Sequence, residues 1–151
     1  MRIIVFSITA TLALVLGALF ALPIYKKDFA RLEINDVSIL AEVAASPQAR
    51  RQGLSGRESL SEFGGMFFTF EVPDLYGIWM KDMKFPIDIF WINKGHIVDL
   101  EEQVLPPARK ISDSFLPIYR PDVPAEYVLE TKAGFAKKHG IKIGDKVEVS
   151  G

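Results

Sequence analysis

The sequence predicts a mainly β protein of the α+β type: an antiparallel sandwich or distorted barrel with short inserted helices, preceded by one transmembrane helix. Three observations predict this class. Segments rich in β-branched and aromatic residues recur from residue 31 onward, separated by turn-forming pairs. The sequence shows no internal repeat and no alternation of strands with long helices, the pattern typical of parallel sheets. Residues 3–25 contain no charged side chain.

The uncharged run 3–25 predicts a membrane span. As a helix rising 1.5 Å per residue it would be about 34 Å long, enough to cross a hydrocarbon core. It ends in Leu22-Pro23 rather than in the small residues of a cleavage site, which favours an uncleaved anchor over a cleaved signal. We therefore expect an anchor over residues 1–25 in contact with membrane lipid, a charged tether over 26–30 and a domain over 31–151.

The orientation of this single-pass protein rests on opposing indications. Lys26, Lys27 and Arg31 follow the run, and a literal count of positive charges keeps the domain in the cytoplasm. A short basic start such as Arg2 is typical of export, and Asp28 dilutes the downstream charge. We expect an extracytoplasmic domain.

The first half of the domain predicts a hairpin followed by a short helix. Residues 31–34 and 37–44 alternate around Asn35-Asp36, a pair that tolerates positive φ. Ser46-Pro47 then offers an N-cap with proline at the first helical position, and Gly53 ends that helix.

The second half predicts further strands around one long loop. Strands are expected at 65–70, 76–80 and 87–92, and Asn93-Lys94-Gly95 turns the last of them into 96–100. Residues 106–126 hold five of the nine prolines and predict an irregular connection. A strand at 127–131, a short helix at 134–139 and a closing strand at 145–149 complete the chain.

Composition excludes several classes of function. With 18 basic and 19 acidic residues, the net charge of −1 and the scattered arginines predict no nucleic-acid partner. With no cysteine, disulfides, Cys-ligated zinc and thiol nucleophiles are excluded. His96 and His139 form no zinc motif, so no metal site and no cofactor is predicted.

Four polar residues within apolar patterning form a candidate cluster: Arg57, Asp82, Asp88 and Glu130. A carboxylate in such surroundings needs a cation or several N–H donors, or its pKa rises. One interpretation is a structural ion pair. The other is a functional site, in which two of the carboxylates act as general acid and base on a polar substrate.

Two aromatic residues are candidate ligand contacts. Most rings between residues 63 and 91 are expected in the core. Tyr76 and Trp79, however, follow the turn-prone Pro73-Asp74, where a ring can remain beside polar groups and hold a sugar or a peptide.

Seven motifs follow one another along the domain: Arg51-Gln-Gly-Leu54, Arg57-Glu-Ser-Leu60, Gly65-Met-Phe-Phe68, Trp79-Met-Lys-Asp-Met83, Pro86-Ile-Asp-Ile-Phe90, Pro106 and Tyr127-Val-Leu-Glu-Thr-Lys-Ala-Gly134. In order and spacing they resemble the DUF192 family, a domain of unknown function. The resemblance implies a compact β-rich domain, commonly behind a signal or anchor, and no mechanism. Ser55 replaces the usual Met, and Asp82-Met83 replaces the usual Asn-Thr.

These observations together predict a membrane-anchored, extracytoplasmic binding or accessory module of the cell envelope, with a glycan or a peptide as ligand. The alternative is a hydrolase of envelope polysaccharide or peptide in which Asp88 and Glu130 are the paired acids.

Overall fold

A computed structural model describes residues 28–108 and 112–150. The predicted anchor and most of the tether lie outside these residues. Nine strands and two short helices are found in the described part: β1 (Phe29–Ile34), β2 (Val37–Ala44), α1 (Pro47–Gln52), β3 (Gly64–Asp74), β4 (Ile78–Trp79), β5 (Ile87–Asn93), β6 (His96–Val104), β7 (Ile118–Tyr119), β8 (Ala125–Lys132), α2 (Phe135–His139) and β9 (Val147–Ser150). Within the described ranges, no helix is long and apolar enough to span a membrane.

The protein is mainly β, and its main sheet is a curled half-barrel. Seven strands follow the order β6-β5-β8-β3-β2-β1-β9, and β4 pairs with β7 in a separate ladder. Strands from opposite ends of this order meet, because the Val147 amide donates to the Gly95 carbonyl at 2.8 Å and the Ile97 amide to the Asp145 carbonyl at 3.0 Å. The sheet therefore curls until its two edges touch at one end.

One strand pair differs from the predicted antiparallel arrangement. β2 and β3 run parallel, with Ala41 beside Gly65 and Ala44 beside Phe68. Parallel neighbours need a crossover connection, which residues 45–63 and α1 provide. The other neighbouring strands of the main sheet are antiparallel, as predicted.

The predicted turns and caps are confirmed. Asn35 and Asp36 have φ of 48° and 63° between β1 and β2. The Ser46 side chain accepts the Ala49 amide at 3.1 Å to cap α1, whose C-cap is Gly53. Two strands begin earlier than predicted. β1 begins at Phe29, within the predicted tether, and β8 begins at Ala125, within the predicted loop.

Both faces of the main sheet are apolar, and each has its own cover. On the first, the helix face, α2 packs Phe135 and Ala136 over residues such as Phe67, Phe90 and Leu129. The second, the cleft face, is covered by the segments around Leu54 and Met80. Its core residues include Met66, Phe68, Ile89, Trp91 and Val128. The alternation of strand side chains decides which face each residue joins.

Candidate functional site

Two loops are fastened to each other above the cleft face. The Ser55 hydroxyl donates to the Lys81 carbonyl at 2.7 Å, and the Gly56 amide donates to the Asp82 carbonyl at 2.9 Å. Leu54 and Met80 are buried beneath these contacts. The segment that carries Arg57 is thereby held against the segment that carries Trp79.

Two adjoining cavities, which together we call the cleft, lie beside these loops. They share Gln52, Gly53 and Ser55 as lining residues. The aromatic cavity has a volume of about 110 Å³, and its lining includes Phe68, Phe70, Tyr76, Trp79, Met83 and Glu130. The larger cavity has a volume of about 430 Å³, and its lining includes Glu42, Ala44, Ser46, Gln48, Arg57 and Met66.

Two glutamates flank Met66 on the floor of the cleft. In the strand register Met66 lies beside Glu42 of β2 on one side and Glu130 of β8 on the other. Side chains at paired positions project from the same face of a sheet. Both carboxyl groups therefore project from the cleft face, one into each cavity.

Arg57 binds the first of these glutamates through two hydrogen bonds. Its Nη2 donates to Glu42 Oε2 at 2.8 Å, and its Nη1 donates to Oε1. The two side chains are only 28% and 16% exposed. The hydrogen bond from Glu42 raises the pKa of Arg57 above its ordinary value, against the opposing effect of burial.

Glu130 is the second glutamate, and only 5% of it is exposed. Burial raises the pKa of its carboxyl group to about 8, and the nearby charge of Arg57 offsets only part of this effect. No hydrogen bond from the described residues supports its charged form. At neutral pH the carboxyl therefore keeps its proton and can donate an O–H to a group in the aromatic cavity.

The two candidate aromatics lie in this same cavity and are half-buried. Tyr76 stacks on Phe70 with ring centroids 3.5 Å apart, and its hydroxyl donates to the Val72 carbonyl at 2.7 Å. The Lys81 ammonium lies 5.5 Å from the centre of the Trp79 ring. Tyr76 and Trp79 are thus held as walls around Glu130.

Asp88 is separated from the other candidates. It pairs with Thr131 and lies on the helix face, whereas Glu130 pairs with Ile89 on the cleft face. The expected pairing of Asp88 and Glu130 as general acid and base does not form. In the register of β5 with β8 the two acids are one position apart, and side chains one position apart project from opposite faces of a sheet.

The contacts of Asp88 explain its burial. Its Oδ1 accepts the amides of Gln103 and Gly134 at 2.8 and 3.0 Å, and its Oδ2 accepts the amide of Ala136 at 2.9 Å. These three N–H donors satisfy the oxygens of the fully buried side chain. Asp88 fastens the start of α2 to the end of the β5–β6 hairpin.

Comparison with known proteins assigns the family. Residues 30–149 match the sequence profile of DUF192, whose description is an uncharacterized ACR. The chain belongs to the DUF192 family. No curated protein matches it significantly.

Two solved structures are similar to this DUF192 chain. One is a protein from Sinorhizobium meliloti 1021, provisionally described as a transcription regulator; it is 31% identical with a TM-score of 0.71, and the match covers 83% of this chain and 95% of that one. The other is a protein of unknown function from Novosphingobium aromaticivorans DSM 12444, 24% identical with a TM-score of 0.72 over 83% and 89% of the two chains.

Asp82 occupies the position where the DUF192 pattern usually has asparagine. Its side chain is exposed, and its φ is +52°. Asparagine and aspartate are the side chains that tolerate this left-handed conformation best. The backbone thus accounts for the residue type at position 82, and the structure does not bring its carboxylate into the polar cluster.

Glu42 completes the site and was not among the candidates predicted from the sequence. It is the only charged residue between positions 37 and 49, and it projects from the face opposite Ile39 and Ala41. A single charged residue in an otherwise uncharged segment is a sequence signal by which Glu42 could have been identified. Its partner could not be predicted, because Arg57 lies within the crossover between the parallel strands β2 and β3.

No metal-binding group of side chains is found in the described ranges. Within residues 28–108 and 112–150, no three His, Asp or Glu side chains are placed to hold a metal ion.

Proposed function

We propose that this DUF192 protein is a membrane-anchored, extracytoplasmic binding module of the cell envelope, and that its cleft binds a glycan. The observation that carries the proposal is Glu130, a buried carboxyl that lines a cavity walled by Tyr76 and Trp79. Burial raises the pKa of this carboxyl to about 8, which favours its neutral form at neutral pH. Apolar walls with one polar group that fixes orientation are typical of ligand sites. Sugars offer ring faces for aromatic walls and oxygens for an O–H donor.

Binding is favoured over hydrolysis by the state of the second acid. A glycosidase needs a proton donor and a free carboxylate as base or nucleophile. Glu130 has the raised pKa of a donor, but Arg57 binds both oxygens of Glu42, the other glutamate that lines the cleft. The alternative, an envelope hydrolase, would need that ion pair to open.

The proposed location is supported by the sequence and by the point at which the chain enters the main sheet. The uncharged run 3–25 is the basis for an anchor. The Asp28 carbonyl accepts the amide of Val43 at 2.8 Å, and Val43 lines the larger cavity. An anchor joined through residues 26–27 would hold this side of the cleft close to the bilayer, within reach of envelope polymers.

Nucleic acid is not proposed as a partner. The Sinorhizobium protein carries a provisional description as a transcription regulator. The present chain has 19 acidic and 18 basic residues, a composition that gives no positive field to attract phosphates.

Co-sedimentation of the full-length chain, kept in mild detergent, with purified peptidoglycan sacculi tests the proposal. Trp79→Ala should weaken binding at least tenfold, because it removes a wall of the aromatic cavity. Phe115→Ala is the matched control, since Phe115 is 78% exposed and does not line the cleft, and it should bind like wild type.

Four outcomes would contradict the proposal. The first two are a wild-type protein that stays in the supernatant and equal binding by the two variants. Binding that disappears with glycan strands stripped of their peptides would assign the cleft to a peptide. Release of new reducing ends during incubation would favour the hydrolase.

A further inference from the structure

Glu130 lies near a guanidinium that is already bound to another acid of the cleft. Arg57 gives both terminal nitrogens to Glu42. Glu130 lies near the same guanidinium but, among the described residues, has no cation of its own, and it remains neutral by keeping a proton. Removing that proton without replacing it would leave a buried unpaired charge, which is strongly unfavourable.

We propose that the cleft selects ligands bearing a protonated amine, and that the amine takes the place of the proton on Glu130. The inference rests on the proposed glycan-binding function and specifies the ligand as an amino sugar with a free amine. As the ammonium group enters, the Glu130 O–H bond breaks and its proton leaves to solvent. One positive charge leaves with the proton and one enters with the ammonium, so the net charge of the site is unchanged.

The walls of the aromatic cavity suit a cation. The faces of aromatic rings attract positive groups, and tryptophan does so most strongly. Two cations of the chain already use this property, since the Arg50 guanidinium lies 5.1 Å from the centre of the Phe70 ring and the Lys81 ammonium 5.5 Å from that of Trp79. An amine bound beside Glu130 would likewise lie close to the aromatic rings that line this cavity.

The other charged and titratable groups around the cavity do not occupy the position beside the Glu130 carboxyl. Arg50 and Arg51 of α1 line the aromatic cavity, but Arg50 donates to the carbonyls of Ala45 and Thr69, and Arg51 is exposed. Neither is among the charges that influence Glu130, where Arg57 acts alone. The hydroxyl of Tyr76, also in the lining, is occupied by a backbone carbonyl.

The test compares two oligosaccharides with the same backbone, chitotetraose with free amines and its fully N-acetylated form. Isothermal titration of the full-length chain at pH 6, where the amines carry their protons, should show at least tenfold tighter binding of the amine form. Repeating the titration in buffers of different ionisation enthalpy should show release of about one proton per ligand. Glu130→Gln should bind both sugars equally and release no proton.

The outcomes separate this inference from the proposed function. Equal affinity of wild type for the two sugars, tighter binding of the acetylated one, or amine binding without proton release would overturn the inference and leave glycan binding intact. No binding of either sugar would overturn both. The proton count is made on wild type, so it does not depend on the folding of the variant.

Discussion

Two buried acids of similar sequence context have opposite environments in this protein. Asp88 is fully buried and accepts three backbone amides, whereas Glu130 is nearly as buried and lines a cavity without such donors. Hydrogen bonds to the charged form stabilise it, and burial without them favours the neutral form. The same residue class thus fastens α2 at one position and provides a proton donor at the other.

Replacing each acid by its amide separates these roles. Asp88→Asn turns one acceptor into a donor that faces backbone N–H groups, and we expect it to lower the free energy of unfolding by about 2 to 4 kcal/mol at pH 7. Glu130→Gln should not lower the free energy of unfolding at pH 7, because the carboxyl is neutral only in the folded chain and loses its proton on unfolding, whereas the amide is neutral in both. Urea denaturation of both variants beside wild type measures the difference. Equal losses would contradict the assignment.

At the scale of elements, local signals predicted the turns and caps, and non-local pairing escaped prediction. Asn35, Asp36 and Gly95 are residue types that tolerate the positive φ they adopt, and both hairpins could be predicted for that reason. The parallel pairing of β2 with β3 depends on how residues 45–63 cross the sheet, which no short pattern reveals.

The residues of the site divide in the same way, into those indicated by local patterns and those whose contacts depend on non-local pairing. Glu130 was a candidate for the polar cluster, and Tyr76 and Trp79 were candidates for separate ligand contacts. The structure places all three in the lining of one cavity. Which face each acid occupies depends on strand register, so the sequence could not separate Asp88 from Glu130, nor could it pair Arg57 with Glu42.

The loop that carries Asp82 provides a test of the backbone explanation for that position. Asp82→Asn should leave the unfolding free energy within about 0.5 kcal/mol of wild type, because asparagine tolerates positive φ. Asp82→Val should lower it by about 1 to 2 kcal/mol, since a β-branched residue strains that conformation. Lys84→Val, at an exposed position of the same loop without positive φ, is the control. Thermal melts showing equal effects of the two valines would refute the explanation.

At the scale of the whole molecule, one curled sheet provides two faces with different tasks. The helix face is closed by α2, and the cleft face carries the cavities beneath the fastened loops. Residues 28–150 contain every strand of this arrangement that the structure describes, and the predicted anchor precedes them.

A chain shortened to begin at Asp28 should therefore fold like the full chain and leave the membrane fraction. Asp28 is kept because its carbonyl accepts the Val43 amide. Cell fractionation, with far-ultraviolet circular dichroism and melting of the purified domain, checks both halves of this expectation. A full-length protein that is itself mostly soluble would contradict the anchor, and an unfolded shortened chain would contradict an independent domain.

The stability of the molecule should depend on pH through Glu130. Its carboxyl binds a proton more tightly in the folded chain, where the pKa is about 8, than in the unfolded chain, where it is 4.5. The resulting stabilisation is complete below pH 4.5, declines as the pH rises and is lost above 8. Unfolding free energies of wild type minus those of Glu130→Gln should fall by up to about 1.4 kcal/mol per pH unit across this range. A flat difference would rule this linkage out.

The most direct measurement of the central claim is the titration of the Glu130 carboxyl carbon by ¹³C NMR, with its resonance assigned by its absence in Glu130→Gln. The claim is that a neutral, buried carboxyl lies at the base of the cleft. We predict that this resonance stays at its protonated position through pH 6 and titrates with a midpoint near pH 8. A midpoint near the ordinary value of 4.5 would show a charged carboxylate in the cleft and contradict the account.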